Sequence, residues 1–342
     1  MNEIRDLENI VQRLFAKHAQ HSVGQDDHGL WRQLTDLGLT SVGLDETLGG
    51  SGGTAAEAAV VLRAAARHAV SEPLAETLVV ATALGVRIGA PEARWTVSLP
   101  VDRLPRLVSS TVSGRLHRVA WGRTADMISL LAHEDSEVVL VTLPTTSCVV
   151  ERRDINLAGE PRDTLLLREV PVSEDQIHRG DRLGRRALAA AATARATQMS
   201  AALEGLLEQT VDFANEREQF GRSLGRFQAV QQMVAELAAE VAAARVAADG
   251  ALGALDLLDG ENGWRAAAAA KVRTGRAATT GARIAHQVHG AIGFTQEHPL
   301  HKLSTRLWSW REEYGAERYW SELLGTAVLA DGGPGLWPSF TN

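Results

Sequence analysis

Two stretches of this chain carry residue types out of keeping with the helices around them. REQFGRSLGRFQ occupies residues 217–228, and QVHGAIGFTQEHPL occupies residues 287–300. In the second, Gly290 and Gly293 interrupt a run that could have continued as helix. Each glycine costs roughly 1 kcal/mol relative to alanine there. The compensating gain is close backbone approach to something outside the helix. Other candidates for chemistry are weaker. Cys148 is the single cysteine, which excludes an intramolecular disulfide and a cysteine zinc site. Within TTSCVV it reads as a small buried apolar residue rather than a nucleophile. His289 reads as a packed or partly exposed helix-end histidine, because no carboxylate or nucleophile accompanies it. The glycines of residues 49–53 lack the Lys-Ser/Thr ending of a phosphate loop and follow no clear strand, so they read as an interhelical loop.

The elements that must position these stretches fall into three parts. Residues 1–92 are expected to be helical. Ile4, Leu7, Ile10, Val11, Leu14 and Phe15 share one stripe at helical spacing, and a short helix follows near residues 29–37. Thr54 is a plausible N-cap for the next helix, and residues 76–89 read as a further apolar helix. Residues 93–176 change character. WTVSL, RLVSSTVSG, DMISLLA, SEVVLVTL and DTLLLREV are short and rich in β-branched residues, which suggests a small antiparallel sheet or barrel. Residues 177–342 return to helix, with three segments of about 27–30 residues, each about 40–45 Å long. A shorter segment over residues 306–330 completes an expected antiparallel four-helix bundle. The fold class is therefore mainly α with a small β domain.

Composition narrows the class of function. The chain has 342 residues, a net charge of −7 and a pI near 5.9. An acidic balance argues against nucleic acid, which needs a basic face. No run approaches the 18 apolar residues of a membrane span, and the acidic N-terminus lacks a signal-length apolar core. A cytoplasmic protein is the expectation.

The two stretches, in this order and at this interval, resemble the flavin-binding motifs of acyl-CoA dehydrogenases. Helical domain, β domain and four-helix bundle is that family's architecture. The resemblance implies FAD as cofactor. It implies that Arg217, Gln219, Phe220, Gly221 and Gln228 match the RxQFG region, whose Arg contacts the FAD pyrophosphate. A guanidinium fork suits that group because it donates two hydrogen bonds at once. Gln287, His289, Gly290 and Gly293 fall on the QxxGGxG region, with Ala291 at its second glycine. In the family these motifs reach the FAD of a neighbouring subunit.

The same resemblance shows departures. The usual catalytic Glu sits in a turn that falls here on Glu313, Tyr314 and Gly315, with Tyr314 at the base position. A phenol is protonated near neutral pH and makes a poor base. Glu313 is one residue off, a rotation of about 100° if that segment is helical. The alternative upstream base position falls near Ala191, where no acid stands. In the β domain, the family's Trp-Ile-Thr against the flavin is Arg118, Val119 and Ala120, and Trp121 is shifted. The resemblance therefore implies a short non-catalytic subunit of a heteromeric enzyme, an α₂β₂ assembly with a catalytic partner. Acyl-CoA would be the substrate, sterol side chains included, and an electron-transfer flavoprotein the acceptor. Two alternatives stand beside it: a self-sufficient homomeric dehydrogenase with Glu313 or Glu312 as a displaced base, or a flavin-free scaffold.

Overall fold

The computed structural model describes residues 2–19, 28–85, 90, 92–100, 103–258, 260 and 263–336. Helices α1 (Asn2–His18), α2 (His28–Asp36) and α3 (Ala55–Arg67) form the N-terminal layer. Val11 and Phe15 of α1 pack with Leu30, Trp31, Leu34 and Leu62. The buried stripe is narrower than the spacing predicts, since Ile4 and Ile10 are largely exposed. Thr54 does cap α3: its N–H donates to Glu57 Oε2 at 2.6 Å. The expected plain helix over residues 76–89 begins instead as a π-helical segment, Glu76–Ala81, and passes into the single turn α4 (Thr82–Leu84). Residues 86–89 lie outside the described residues. π-Helical turns are frequent at functional sites, and this one carries the buried Glu76.

The sheet comprises β1 (Trp95–Ser98), β2 (Arg106–Val108), β3 (Thr111–Ala120), β4 (Met127–Glu134), β5 (Glu137–Pro144), β6 (Val149–Arg152), β7 (Arg162–Pro171) and β8 (Ile177–His178). Its order is β6-β7-β3-β2-β4-β5-β8, with β1 paired to β4. Most pairs are antiparallel, as expected, but β1 and β2 both run parallel to β4. Every residue of β1 is buried, so the strand is covered on both faces, the setting in which parallel pairing occurs.

The helical remainder comprises α5 (Leu183–Glu216), α6 (Gln228–Gly253), α7 (Trp264–His289), α8 (Leu300–Trp310) and α9 (Glu317–Leu336). Met199, Leu203, Leu237, Val241, Ile284 and Leu307 bring α5 through α8 into one core, and these form the four-helix bundle. The segment expected as one helix over residues 306–330 is two, α8 and α9, broken at Gly315, where φ is 91°. At 34 residues α5 is longer than expected. Between residues 187 and 206 it is buried nearly all round, mostly through Ala and Leu but also through Thr193, Arg195, Thr197, Gln198 and Ser200; a helix buried on every face belongs inside a protein. Alanine lets its neighbours approach closely. Trp310 and Trp320 are fully buried, so these large aromatics pack the core. Among the described residues, no helix is long and apolar enough to cross a membrane, and no group of His, Cys, Asp or Glu could hold a metal.

Candidate functional site

After α5 ends, the chain forms a small hairpin, β9 (Glu218–Gln219) and β10 (Arg222–Ser223). Gln219 pairs with Arg222, leaving a two-residue turn of Phe220 and Gly221. Their φ values are 53° and 77°, both positive as a type I′ turn requires. Phenylalanine is a costly residue in that conformation, and Phe220 is nonetheless 92% exposed. The Arg222 guanidinium sits 4.1 Å over the Phe227 ring. Arg217, Gln219 and Gln228 are exposed. Among the described residues, the Arg217 side chain has no ion pair or hydrogen bond.

The second motif follows α7. Gly290 is exposed and adopts φ 64°, ψ −145°, a conformation for glycine alone. A Cβ there would meet nothing within 4 Å, so backbone shape rather than space demands the glycine. Gly293 differs: it is buried, and a Cβ would come within 2.9 Å of His289 Cβ. Its smallness serves internal packing, not a backbone contact to the outside. His289 is buried too. Its Nδ1–H donates to the Ala285 carbonyl at 2.7 Å, and its ring stacks on Phe213 with centroids 4.4 Å apart. Burial lowers its pKa, so the imidazole is neutral. Of the nine residues drawn from the two motifs, His289 and Gly293 face inward and seven are exposed.

Glu313 and Tyr314 lie in a turn between α8 and α9, not on a helix, with Tyr314 at φ 54°. The helical-rotation expectation therefore does not apply; the Glu313 side chain is only 9% exposed and Tyr314 is partly buried. Glu313 Oε1 accepts from Arg162 Nε at 2.7 Å and from Asn156 Nδ2 at 3.3 Å. Its Oε2 accepts from Arg195 Nε at 2.8 Å. Burial pushes this carboxyl up, but the Arg162 and Arg195 charges outweigh burial and hold it at about 2. Tyr314 Oη–H donates to Glu76 Oε1 at 2.8 Å. Burial and the Glu76 charge raise the phenol well above its ordinary value.

These groups belong to a longer buried ladder. Arg195 Nη2 reaches Glu76 at 2.6 Å, Arg162 Nη2 reaches Glu160 at 2.9 Å, and Arg306 Nε lies 3.5 Å from Glu160. The order is Glu76–Arg195–Glu313–Arg162–Glu160–Arg306, alternating in sign, with no side chain more than 9% exposed. Trp310 Nε1 also donates to Glu160. Alongside, Lys271 Nζ donates to the carbonyls of Arg311 and Gly315 at 2.7 and 2.9 Å, fastening the turn. Burial pushes Lys271 down to about 7. Glu312 is a surface residue beside Arg311, as its sequence context indicates, and Ala191 is buried among alanines. Between this turn, β1 and β3 lies a cavity of ≈ 280 Å³, walled by Val97, Leu99, Arg118, Arg162, Glu313 and Tyr314.

Sequence reading did not find Glu76, Arg162, Glu160 or Arg306 as parts of this ladder. Arg195 offered a signal, being a lone charge inside a long alanine run.

The model of the acyl-CoA dehydrogenase N-terminal domain matches residues 3–94, and that of the acyl-CoA dehydrogenase C-terminal domain matches residues 178–324. The chain belongs to the acyl-CoA dehydrogenase family. It is 29% identical over 308 residues to acyl-CoA dehydrogenase IpdE2 of Mycobacterium tuberculosis, covering 86% of this chain and 87% of that protein. It is 30% identical over 273 residues to acyl-CoA dehydrogenase FadE34 of the same organism, covering 78% of this chain but only 37% of that longer protein. Among solved structures, the Tcur3481-Tcur3483 steroid acyl-CoA dehydrogenase (G363A variant) is similar with a TM-score of 0.87 at 26% identity, covering 97% of this chain and 98% of that one.

Proposed function

We propose that this chain is a subunit of a flavin-dependent acyl-CoA dehydrogenase that completes the FAD site of a catalytic partner and supplies no base of its own. The observation that carries the reading is the state of Glu313. A general base needs a pKa near the working pH and a free lone pair aimed at the substrate. Glu313 is held at about 2, with both oxygens occupied by buried guanidinium groups. Tyr314 is protonated and spends its proton on Glu76. Neither group in this turn is free to take an α-proton.

The outward motifs fit FAD. Arg217 presents an uncommitted guanidinium, the group best shaped for a pyrophosphate. Phe220 offers an exposed aromatic face, and Gly290 an exposed backbone with no side chain in the way, its own N–H capping the helix on the His286 carbonyl. Bound FAD supplies a hydride acceptor; this chain's part is to bind and orient it across the subunit boundary. Helix α6 supports assembly. Its Ala238, Ala239, Ala242, Ala243 and Val246 are exposed on a long apolar helix, a surface that obligate interfaces bury. The similar Tcur3481-Tcur3483 enzyme is named for two chains and for a steroid. A bulky acyl-CoA of that kind, and electron delivery to an electron-transfer flavoprotein, follow as part of the proposal.

The homomeric alternative requires Glu313 to leave two arginines before it can act as a base. The visible absorbance of the purified chain, alone and co-expressed with a full-length dehydrogenase, decides between the two. The lone chain is expected colourless and inactive, and the complex yellow and active. Stoichiometric flavin with turnover on the lone chain would sink the proposal.

A further inference from the structure

Four histidines crowd the corner where α7 passes into α8: His286, His289, His298 and His301. Among the described residues, no carboxylate pairs with any of them. Their neighbours are mostly aromatic. His286 lies between Phe294 and Trp308, with ring centroids 4.3 and 5.6 Å away, and its Nε2 is 3.0 Å from Ser304 Oγ. His289 stacks on Phe213 and meets the His298 ring at 4.6 Å. His298 in turn stands edge-on to Phe213 at 6.0 Å. The Phe213 carbonyl accepts the Arg217 N–H at the end of α5, and Gly290 directly follows His289. One packed group of rings therefore joins the roots of both exposed motifs.

Hydrogen bonds fix the protonation state of this group. The Leu300 N–H, at the start of α8, donates to His298 Nδ1 at 3.2 Å, and His301 Nδ1–H donates to the His298 carbonyl at 2.7 Å. A ring nitrogen that accepts carries no proton, so His298 is neutral here. A proton on that nitrogen would set N–H against N–H at the positive end of a helix. His289 already donates from Nδ1 to the Ala285 carbonyl, so a second proton would fall on its buried Nε2. From α5 the cluster meets Phe213 and the Gln209 backbone, and from α8 His301, Ser304 and Trp308. Of the nearby charges, Glu297 is exposed and Lys302 reaches the Ala19 carbonyl instead. Burial lowers His286, His289 and His298 below the ordinary 6.5. At His289 the Ala285 and Gln209 backbone oppose burial while His298 and His286 reinforce it, and at His298 the neighbouring His301 reinforces it. The unfolded corner therefore binds protons more tightly. Its packing is complete above pH 6.5 and is lost as pH falls.

We propose that His289 and His298, packed on Phe213, form an acid-sensitive latch that holds the Arg217 and Gly290 loops in fixed relation and releases them in mild acid. Release is local, because Leu203, Ile284 and Leu307 still join α5, α7 and α8 in the bundle core. The functional consequence rests on the subunit reading: the released loops let go of the partner's flavin, so an acidified complex sheds its cofactor.

Amide exchange of the full-length chain at about pH 7.5 and about pH 5.5, read as protection factors, tests the latch. The informative amides are those of Arg217, Thr295, Leu300 and Lys302, which are hydrogen-bonded at this corner. Their protection is expected to fall roughly tenfold or more at the lower pH, while the middle of α5 and α7 keeps its own. His298→Asn offers Leu300 an acceptor that does not titrate, and His289→Phe keeps a ring on Phe213 without a charge. Either variant is expected to remove most of the fall and to match the wild type at the higher pH. Equal protection at both pH values, or the same fall in both variants, would overturn the latch. So would a loss that spreads through α5 and α7, since that is acid unfolding. Flavin retained by the co-expressed complex is read separately over the same pH range. Release that parallels the exchange supports both readings; exchange without release supports the latch and overturns its role toward the cofactor.

Discussion

Arg195 sits at 2% exposure between Glu76 and Glu313, and its removal would leave Glu76 with no cationic partner and only the Tyr314 hydroxyl, and Glu313 with Arg162 and Asn156. Breaking a buried ion pair from one side typically costs about 3–5 kcal/mol, because the orphaned charge has no water to return to. Arg195→Ala is expected to fall in that range by urea denaturation, and a loss below about 1 kcal/mol would mean the ladder is not a connected unit. Glu313 makes the stability pH-dependent in a defined direction. Its carboxyl stands at about 2 in the fold against an ordinary 4.5, so the unfolded chain binds the extra proton between those values. The stabilisation is complete above pH 4.5 and is lost as pH falls toward 2. Glu313→Gln should flatten that limb of the stability profile. The ladder was hardly legible from sequence, because its members lie up to about 240 positions apart and each alone reads as a solvated charge. From sequence, the resemblance implies Tyr314 at the usual base position, and the structure adds that its neighbour Glu313 is tied down by two arginines.

Turns, more than helices, set the character of this fold, and they were the elements read least well. Long alanine runs made the bundle helices visible, but helical patterning ran through the break at Gly315, where only the family resemblance implied a turn, and nothing local announced that β1 lies parallel to β4. Both depend on tertiary partners. The break is held by Lys271, whose ammonium reaches two carbonyls of the turn. Lys271 is held at about 7 against an ordinary 10.5, so the unfolded chain binds more protons across that window and stability should rise from pH 7 to 10.5. Lys271→Met is expected to abolish that rise and to speed amide exchange in residues 311–316; exchange at the wild-type rate would show that α8 and α9 hold the turn without it. In the 219–222 hairpin, Phe220→Asn relieves a strained φ. Its effect on stability should stay within about 0.5 kcal/mol, while flavin retention by the complex falls. At the other motif, Gly290→Ala forces a side chain into a glycine-only region and should cost about 1–3 kcal/mol.

At the scale of the whole molecule, charge is turned inward at one end of the site and outward at the other. Three carboxylates and three guanidinium groups neutralise one another beside the chain's own cavity, while Arg217 and Phe220 stand exposed on the hairpin. A homomeric enzyme would need both ends working in every protomer. An assembly of unlike chains needs each end only once: in the proposed arrangement the partner would hold the flavin ring and base, and this chain would reach across with its hairpin. The expected stoichiometry is therefore one FAD for each pair of unlike chains. Arg217→Ala should cost about 2–4 kcal/mol of cofactor binding in the complex, the range for losing a desolvated charge partner. It should leave the melting temperature of the isolated chain unchanged, because among the described residues the exposed Arg217 side chain makes no ion pair or hydrogen bond. Flavin released from the purified complex, counted against each chain, measures the first; a fluorescence titration of the apo-complex with FAD measures the second. Two flavins per pair, or unaltered FAD affinity in Arg217→Ala, would mean that the hairpin does not meet the partner's cofactor and that each chain carries a site of its own.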